Sequence, residues 1–196
     1  MLSLKSIPVL LAAAVLLAAC STPPPGNAFP EQSWAHKPKI KLLVGEIVVE
    51  QSYRDRVEPP NAERQAPRTP SQEMRNWAQR RLLAAGSGGR ATLTISEGSI
   101  LQTDLPAGKG TFSFFSSSAA RRFQGTLIAS LTITNGSGVT VGRVEAQARQ
   151  TTELPQGMTL NEREEALFDM VQALLVNMDR EMESQINRHL SGYLVP

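Results

Sequence analysis

Apolar and polar positions alternate through the middle of the chain. Arg90 to Ser96 sets Leu93 and Ile95 against Thr92, Thr94 and Ser96. Phe123 to Thr134 sets Leu127, Ala129, Leu131 and Ile133 against Thr126, Ser130, Thr132 and Thr134. Val139 to Thr151 repeats the pattern with Val144, Ala146 and Ala148 against Arg143, Glu145, Gln147 and Arg149. A period of two with one polar parity predicts strands of a sheet buried on one side and wet on the other. Asn135-Gly136-Ser137-Gly138 supplies the turn between the last two. Ile40 to Glu50 predicts a further strand, in which Ile40, Leu42 and Val44 share one parity and Ile47 and Val49 the other. A phase change at Gly45 is what a β-bulge produces.

Two stretches change to the helical period. Thr69, Pro70 and Gln72 form the opening of a capped helix, and Met74, Trp77, Ala78, Arg81, Leu82 and Ala85 follow at helical spacing until Gly86, Gly88 and Gly89 end it. Arg81 interrupts that stripe, with a stem long enough to lie along it. Trp77 reads as a core anchor. The second helix runs from about Leu160 to His189, capped by Thr159 or Asn161. Its stripe is Leu167, Met170, Val171, Leu174, Leu175, Met178, Met182, Ile186, His189 and Leu190. At 1.5 Å per residue it extends about 45 Å, long enough for one end to overhang a sheet. Arg54 to Thr69, rich in proline, predicts an irregular loop that is either functional or wrapped on a sheet edge.

The order strand, helix, strand, strand, strand, helix predicts an α+β two-layer sandwich. Its four-stranded, mostly antiparallel sheet carries both helices on one face. The first helix is a crossover that makes the first two strands parallel. Small alanines in the last strand allow a helix to come close.

The N-terminus has a different character. Lys5 precedes an apolar run from Ile7 to Leu17, and small residues follow up to Cys20, which is secretory-leader anatomy. The run is too short to span a bilayer, which takes about 20 apolar residues. Ser21 to Pro38 holds Pro23-Pro24-Pro25, Gly26, Pro30 and Pro38, the composition of an extended tether. The expected organisation is a cleaved leader over 1–19, a modified Cys20 with its tether over 20–38, and one domain over 39–196. Phe29 and Trp34 stand out in the tether, either packed on the domain or touching a membrane or partner. Cys20 is the only cysteine, so no disulfide staples the domain. The net charge of +2 provides no concentrated basic face for nucleic acid.

Leu17-Ala18-Ala19-Cys20 resembles the lipobox of bacterial lipoproteins. The resemblance implies that the Cys20 thiol receives a diacylglycerol and becomes the first residue after cleavage. With Ser21 and not aspartate next, it implies the inner leaflet of the outer membrane, with the domain facing the periplasm. One acyl chain binds marginally at about 0.8 kcal/mol per buried methylene, and the two or three implied, palmitate among them, hold essentially permanently. More broadly, the tether, the strand-helix-three-strand-helix order and the pair Trp77-Ala78 are similar to the auxiliary lipoproteins of ABC-type envelope transport systems. That likeness implies a non-catalytic accessory or assembly role with an envelope protein as partner. The alternative is a carrier of an apolar ligand held between sheet and long helix, near Ala129, Ala146 and Ala148.

Catalytic signals fail one by one, and no enzyme, metal or cofactor is expected. The two histidines, His36 and His189, are far apart in sequence, and Cys20 is committed to lipid. Gly108-Lys109-Gly110-Thr111 lacks the upstream glycine and the hydroxyl residue of a phosphate loop. Glu162, Glu164 and Glu165 suit a helix N-terminus. Between the second and third strands Thr111 to Ser118 holds three phenylalanines. The neighbours Phe114 and Phe115 cannot both face inward in a strand, so the exposed one is a candidate contact surface.

Overall fold

The computed structural model describes residues 29–106 and 120–195, and Glu31 onward forms one compact unit. The elements are β1 Ile40–Leu42, β2 Glu46–Gln51, α1 Pro70–Arg81, β3 Leu82–Ala84, β4 Arg90–Leu105, β5 Ala120–Thr134, β6 Thr140–Pro155 and α2 Leu160–His189. The main sheet has the order β2-β4-β5-β6, and β1 and β3 form a small sheet of two. β2 runs parallel to β4, with Val49 opposite Leu93, whereas β4–β5 and β5–β6 are antiparallel. This is the expected α+β arrangement, with a mixed main sheet and one extra small sheet.

The predicted first strand is divided between both sheets, which corrects the expectation of a bulge. Gly45 donates its N–H to the carbonyls of Gly88 and Gly89, each at 3.1 Å, and the chain leaves β3 for β4 at that point. The first helix is also shorter than its stripe. Leu82 to Ala84 continue the helical spacing, yet they pair in parallel with Ile40 to Leu42. The glycines therefore follow a strand. Gly89 has φ +74°, and a Cβ there would stand 2.4 Å from the Thr134 carbonyl oxygen, so only glycine fits.

β4 and β6 run for 16 residues each, well past the alternation that announces them. A register shift between Ile95 and Glu97 resets the parity of β4, so Ile100 shares the inner face with Ile95. β2 stops opposite Ile95, and beyond it the proline-rich loop takes over the edge. Ala62 N–H donates to Ile100 O at 2.7 Å and Gln102 N–H to Pro60 O at 2.8 Å.

Both helices begin on a capping box. Gln72 N–H donates to Thr69 Oγ1 at 3.3 Å while Thr69 N–H donates to Gln72 Oε1 at 3.1 Å. Thr159 and Glu162 do the same for α2, which identifies Thr159 as the cap. α2 lies along β6 and β5, and α1 lies over β4, β5 and β2. The core is their shared seam, with Leu167, Val171, Leu174, Leu175 and Met178 of α2 facing Leu127, Ala129, Leu131 and Ala146. A Cβ on Gly125 would meet Leu174 Cδ2 at 3.1 Å, so that glycine sets how close the helix comes. His189, expected on the stripe, is exposed at the end of α2.

Candidate functional site

Cys20, Phe114 and Phe115 lie outside the described residues, as does Gly108 to Thr111. The site must therefore be built from the faces that the described fold leaves open and from what holds them rigid.

The face of the main sheet opposite the helices carries no layer among the described elements. Register places its residues in rows. Thr92, Thr132 and Arg143 form one; Thr94, Ser130 and Glu145 the next; Ser99, Thr126 and Arg149 another. Half-buried threonines occupy the two central strands, with Ser99 and Ser130 among them buried, and alternating charges line the exposed side of β6. Arg143 and Glu145 side chains are each 60% exposed and 3.8 Å apart, a pair too solvated to lock. Arg122 grips Glu153 through Nε at 3.0 Å and Nη2 at 2.7 Å near the far end. Such a face offers hydrogen bonds and ion pairs along its rows. β6 is also an edge strand, and its charges discourage indiscriminate strand pairing.

The opposite side of the domain is held by buried charge. Asp179 interrupts the α2 stripe and Arg81 the α1 stripe, and the two interruptions meet. Asp179, 1% exposed, accepts from Trp77 Nε1 and Arg81 Nε at 2.8 Å each, and from Lys37 Nζ. Arg81 is wholly buried; its Nη1 donates to Pro38 O, and its Nη2 is an ion pair with Glu183 Oε2 at 3.1 Å without hydrogen-bond alignment. Lys37 also reaches Glu183 Oε2 at 3.2 Å. Beside this cluster Glu31 binds Arg68 Nη2 at 3.2 Å and Arg80. Trp34, 4% exposed, joins the core, so Glu31 to Pro38 is strapped across both helices. Trp77 is the anchor its spacing predicts. The loop has a buried pair of its own, in which Tyr53 OH donates to Glu63 Oε1. Burial and that carboxylate push the phenol well above its ordinary value.

Burial works to raise the Asp179 carboxyl, but the hydrogen bonds from Lys37, Trp77 and Arg81 outweigh it and hold its pKa below the usual 3.8. The hydrogen bond to Asp179 raises Lys37 above 10.5 against a smaller cost of burial. A depressed carboxyl stabilises the fold above its unfolded pKa, and that stability is lost as pH falls through the folded value. A raised lysine stabilises below its unfolded pKa, and the loss comes as pH rises through the folded value. Thermal unfolding followed by circular dichroism should therefore show Tm falling as pH drops below about 4. Asp179→Asn should have a shallower acid limb, and an identical limb would remove Asp179 from the account.

The polar candidates of the sequence that lie among the described residues are placed as follows. His36 is exposed and stacked on Trp34, with ring centroids 6.3 Å apart. Glu162 is occupied with Thr159, whose hydrogen bonds lower its pKa. Among the described residues no group of three histidine, cysteine or acidic side chains is placed to hold a metal, and no described helix is long and apolar enough to cross a membrane. Gly45, Glu46, Gly88, Gly89 and Arg90 border an open cleft of about 440 Å³ at the β5–β6 turn.

No protein family and no curated protein matches the chain. Among solved structures it is similar to a minor lipoprotein from Acinetobacter baumannii, at 10% sequence identity and a TM-score of 0.42. The match covers 79% of this chain and 98% of that one. That likeness is too distant to carry an argument.

Proposed function

We propose that the protein is a lipid-anchored component of the bacterial envelope that acts without catalysis, as an accessory or assembly factor working through protein contacts. The observation that carries the reading is Leu17-Ala18-Ala19-Cys20, which places the only thiol directly after small residues and before a proline tether. Ser21 favours the outer membrane, with the domain in the periplasm. The fold supports the role in a second way: it leaves a sheet face rich in threonine with a charged margin, suited to a protein partner. A transport system of the ABC type is the partner class to which Trp77-Ala78 and the element order point.

The carrier alternative draws no support from the seam between helix and sheet. Ala129 and Ala146 there are at most 2% exposed, and Gly125 lets Leu174 press onto the sheet, so small residues serve close approach.

Cys20→Ala should abolish metabolic labelling with palmitate and move the protein from the membrane pellet to the soluble fraction. Labelling that persists would overturn the anchor. For the accessory role, native mass spectrometry of the lipidated protein in detergent should show a stoichiometric envelope protein. A stoichiometric apolar ligand instead would favour the carrier.

A further inference from the structure

The strap that leads into β1 is fastened differently from the chain after it. Over residues 31–39 nothing belongs to a strand or a helix. Among the described residues its one backbone–backbone hydrogen bond, from Lys37 N–H to Trp34 O at 3.0 Å, closes a turn within the strap itself. Side chains do the fastening. Glu31 meets Arg68 and Arg80, and Lys37 meets Asp179 and Glu183. The Glu31, Arg80, Lys37 and Glu183 side chains are all between 33% and 50% exposed there. Ion pairs as wet as these contribute little. Trp34 is the one buried residue of the strap, and the turn sets its indole into the core three residues before the ammonium. A segment with one deep anchor and no ladder bonds opens at lower cost than the fold as a whole.

The Asp179 carboxylate divides its bonds along the same boundary. Oδ1 accepts from Trp77 Nε1 and Arg81 Nε, each at 2.8 Å, and so joins α1 to α2, whereas Oδ2 accepts from Lys37 Nζ. Arg81 is divided likewise, with Nε on Asp179 and Nη1 donating to Pro38 O. Lifting the strap therefore leaves the bonds between the helices in place. The two atoms that lose a partner, Asp179 Oδ2 and Arg81 Nη1, face the groove the strap vacates, where water satisfies them. We propose that residues 31–38 are a latch that opens as a unit while the rest of the domain stays folded, and that the groove beneath is a binding site for an ammonium carried three residues after an aromatic side chain. Asp179 Oδ2 and Glu183 Oε2 converge on the position of Lys37 Nζ, the second at 3.2 Å. Two carboxylates against the single Arg81 guanidinium leave that position negative, so charge complementarity selects a cation. An ammonium has three donors to divide between the two acceptors.

The latch goes beyond the anchoring and accessory reading and stands whether or not Cys20 carries lipid. Trp34 and Lys37 are the occupant that the chain supplies to its own groove. Held close by a short link, they act at an effective concentration of about millimolar. The closed form therefore prevails until the strap's ion pairs are weakened or a segment of the same chemistry displaces it.

The test uses the full chain with Lys37→Glu, which sets a third carboxylate against Asp179 and Glu183. Acrylamide quenching of tryptophan fluorescence reads the strap, because Trp34 and Trp77 are the two tryptophans and Trp77 is wholly buried under α2. The expected result is a several-fold rise in quenching, which Trp34→Phe added to the same chain abolishes. Far-UV circular dichroism should stay unchanged, and the urea midpoint should move far less than in Asp179→Ala. A fluorescein-labelled peptide of residues 31–39 should then gain anisotropy on the Lys37→Glu chain. It should bind less tightly to the unaltered chain, whose own strap competes, and the same peptide carrying Lys37→Glu should bind neither. Quenching that stays low in the Lys37→Glu chain, or that rises only with loss of circular dichroism, overturns the latch. An open strap whose groove rejects the peptide, or takes the glutamate peptide equally well, overturns the ammonium site.

Discussion

Asp179→Ala should destabilise the domain by about 3–5 kcal/mol, the cost of breaking a buried ion pair from one side. Three donors converge on that carboxylate, and Arg81 among them has no access to water. Removing the acceptor leaves the guanidinium Nε and the Trp77 indole N–H unsatisfied in the core, whereas Lys37, a third exposed, can turn outward. Urea denaturation followed by far-UV circular dichroism measures the loss. Trp77→Phe keeps the ring and removes one donor, so it should cost less, about 1.5–3 kcal/mol for a hydrogen bond to a charged group. Arg81→Met combined with Asp179→Leu should recover much of the single-mutant loss, because apolar replacement of a whole buried pair is near neutral. If Asp179→Ala costs under about 1 kcal/mol, the cluster is hydrated and the strap it holds is loose.

Leu174→Ala should cost about 2–5 kcal/mol, at the upper end if the site cannot collapse. Leu174 is wholly buried and packs over Gly125 of β5. The 16-residue β6 and its hairpin partner make a stiff floor, so little can move in to fill the hole. The companion substitution Gly125→Val enlarges the floor instead and should cost about 1–3 kcal/mol through overpacking. Denaturation midpoints at constant m-value measure both. A near-neutral Leu174→Ala would mean that the seam has slack, and slack there would revive the ligand-carrier reading.

The long helix was legible because its signals are local. A capping box fixes its start at Thr159, and an apolar stripe repeats for 30 residues. Strand parity was equally local, and it reports correctly which side of β5 and β6 is buried. What the pattern missed depended on distant partners. Leu82 to Ala84 satisfy a helical stripe, but Ile40 to Leu42 draw their backbone into a parallel pair, and no propensity in Arg-Leu-Leu-Ala-Ala announces that. The far half of β4 was hidden by the shift after Ile95, which breaks the alternation on which the reading depends.

The ion cluster did leave a trace in the sequence. Arg81 and Asp179 are opposite charges, each lodged in an otherwise apolar helical stripe, and two such interruptions cancel if they face one another. Lys37 left no such trace, because a single lysine among prolines looks like any solvated residue. The open face of the sheet was legible as threonine alternation, but its rows came only from register. Cys20 lies outside what the fold can address, and its reading still rests on the four residues around it.

The strap also has a consequence in time. Lys37 and Asp179 are 142 residues apart, and Leu42 bridges to Leu194. The first folded segment thus has some of its partners at the very end of the chain, besides those in α1 and β3. A polypeptide made from its N-terminus can pair that segment with α1 and β3 early, but the bonds to Asp179 and Leu194 wait until the last helix has emerged. Contacts of such long range form late. Closure of the strap therefore waits for the last helix, and a chain cut short before Asp179 leaves Lys37 without its carboxylate.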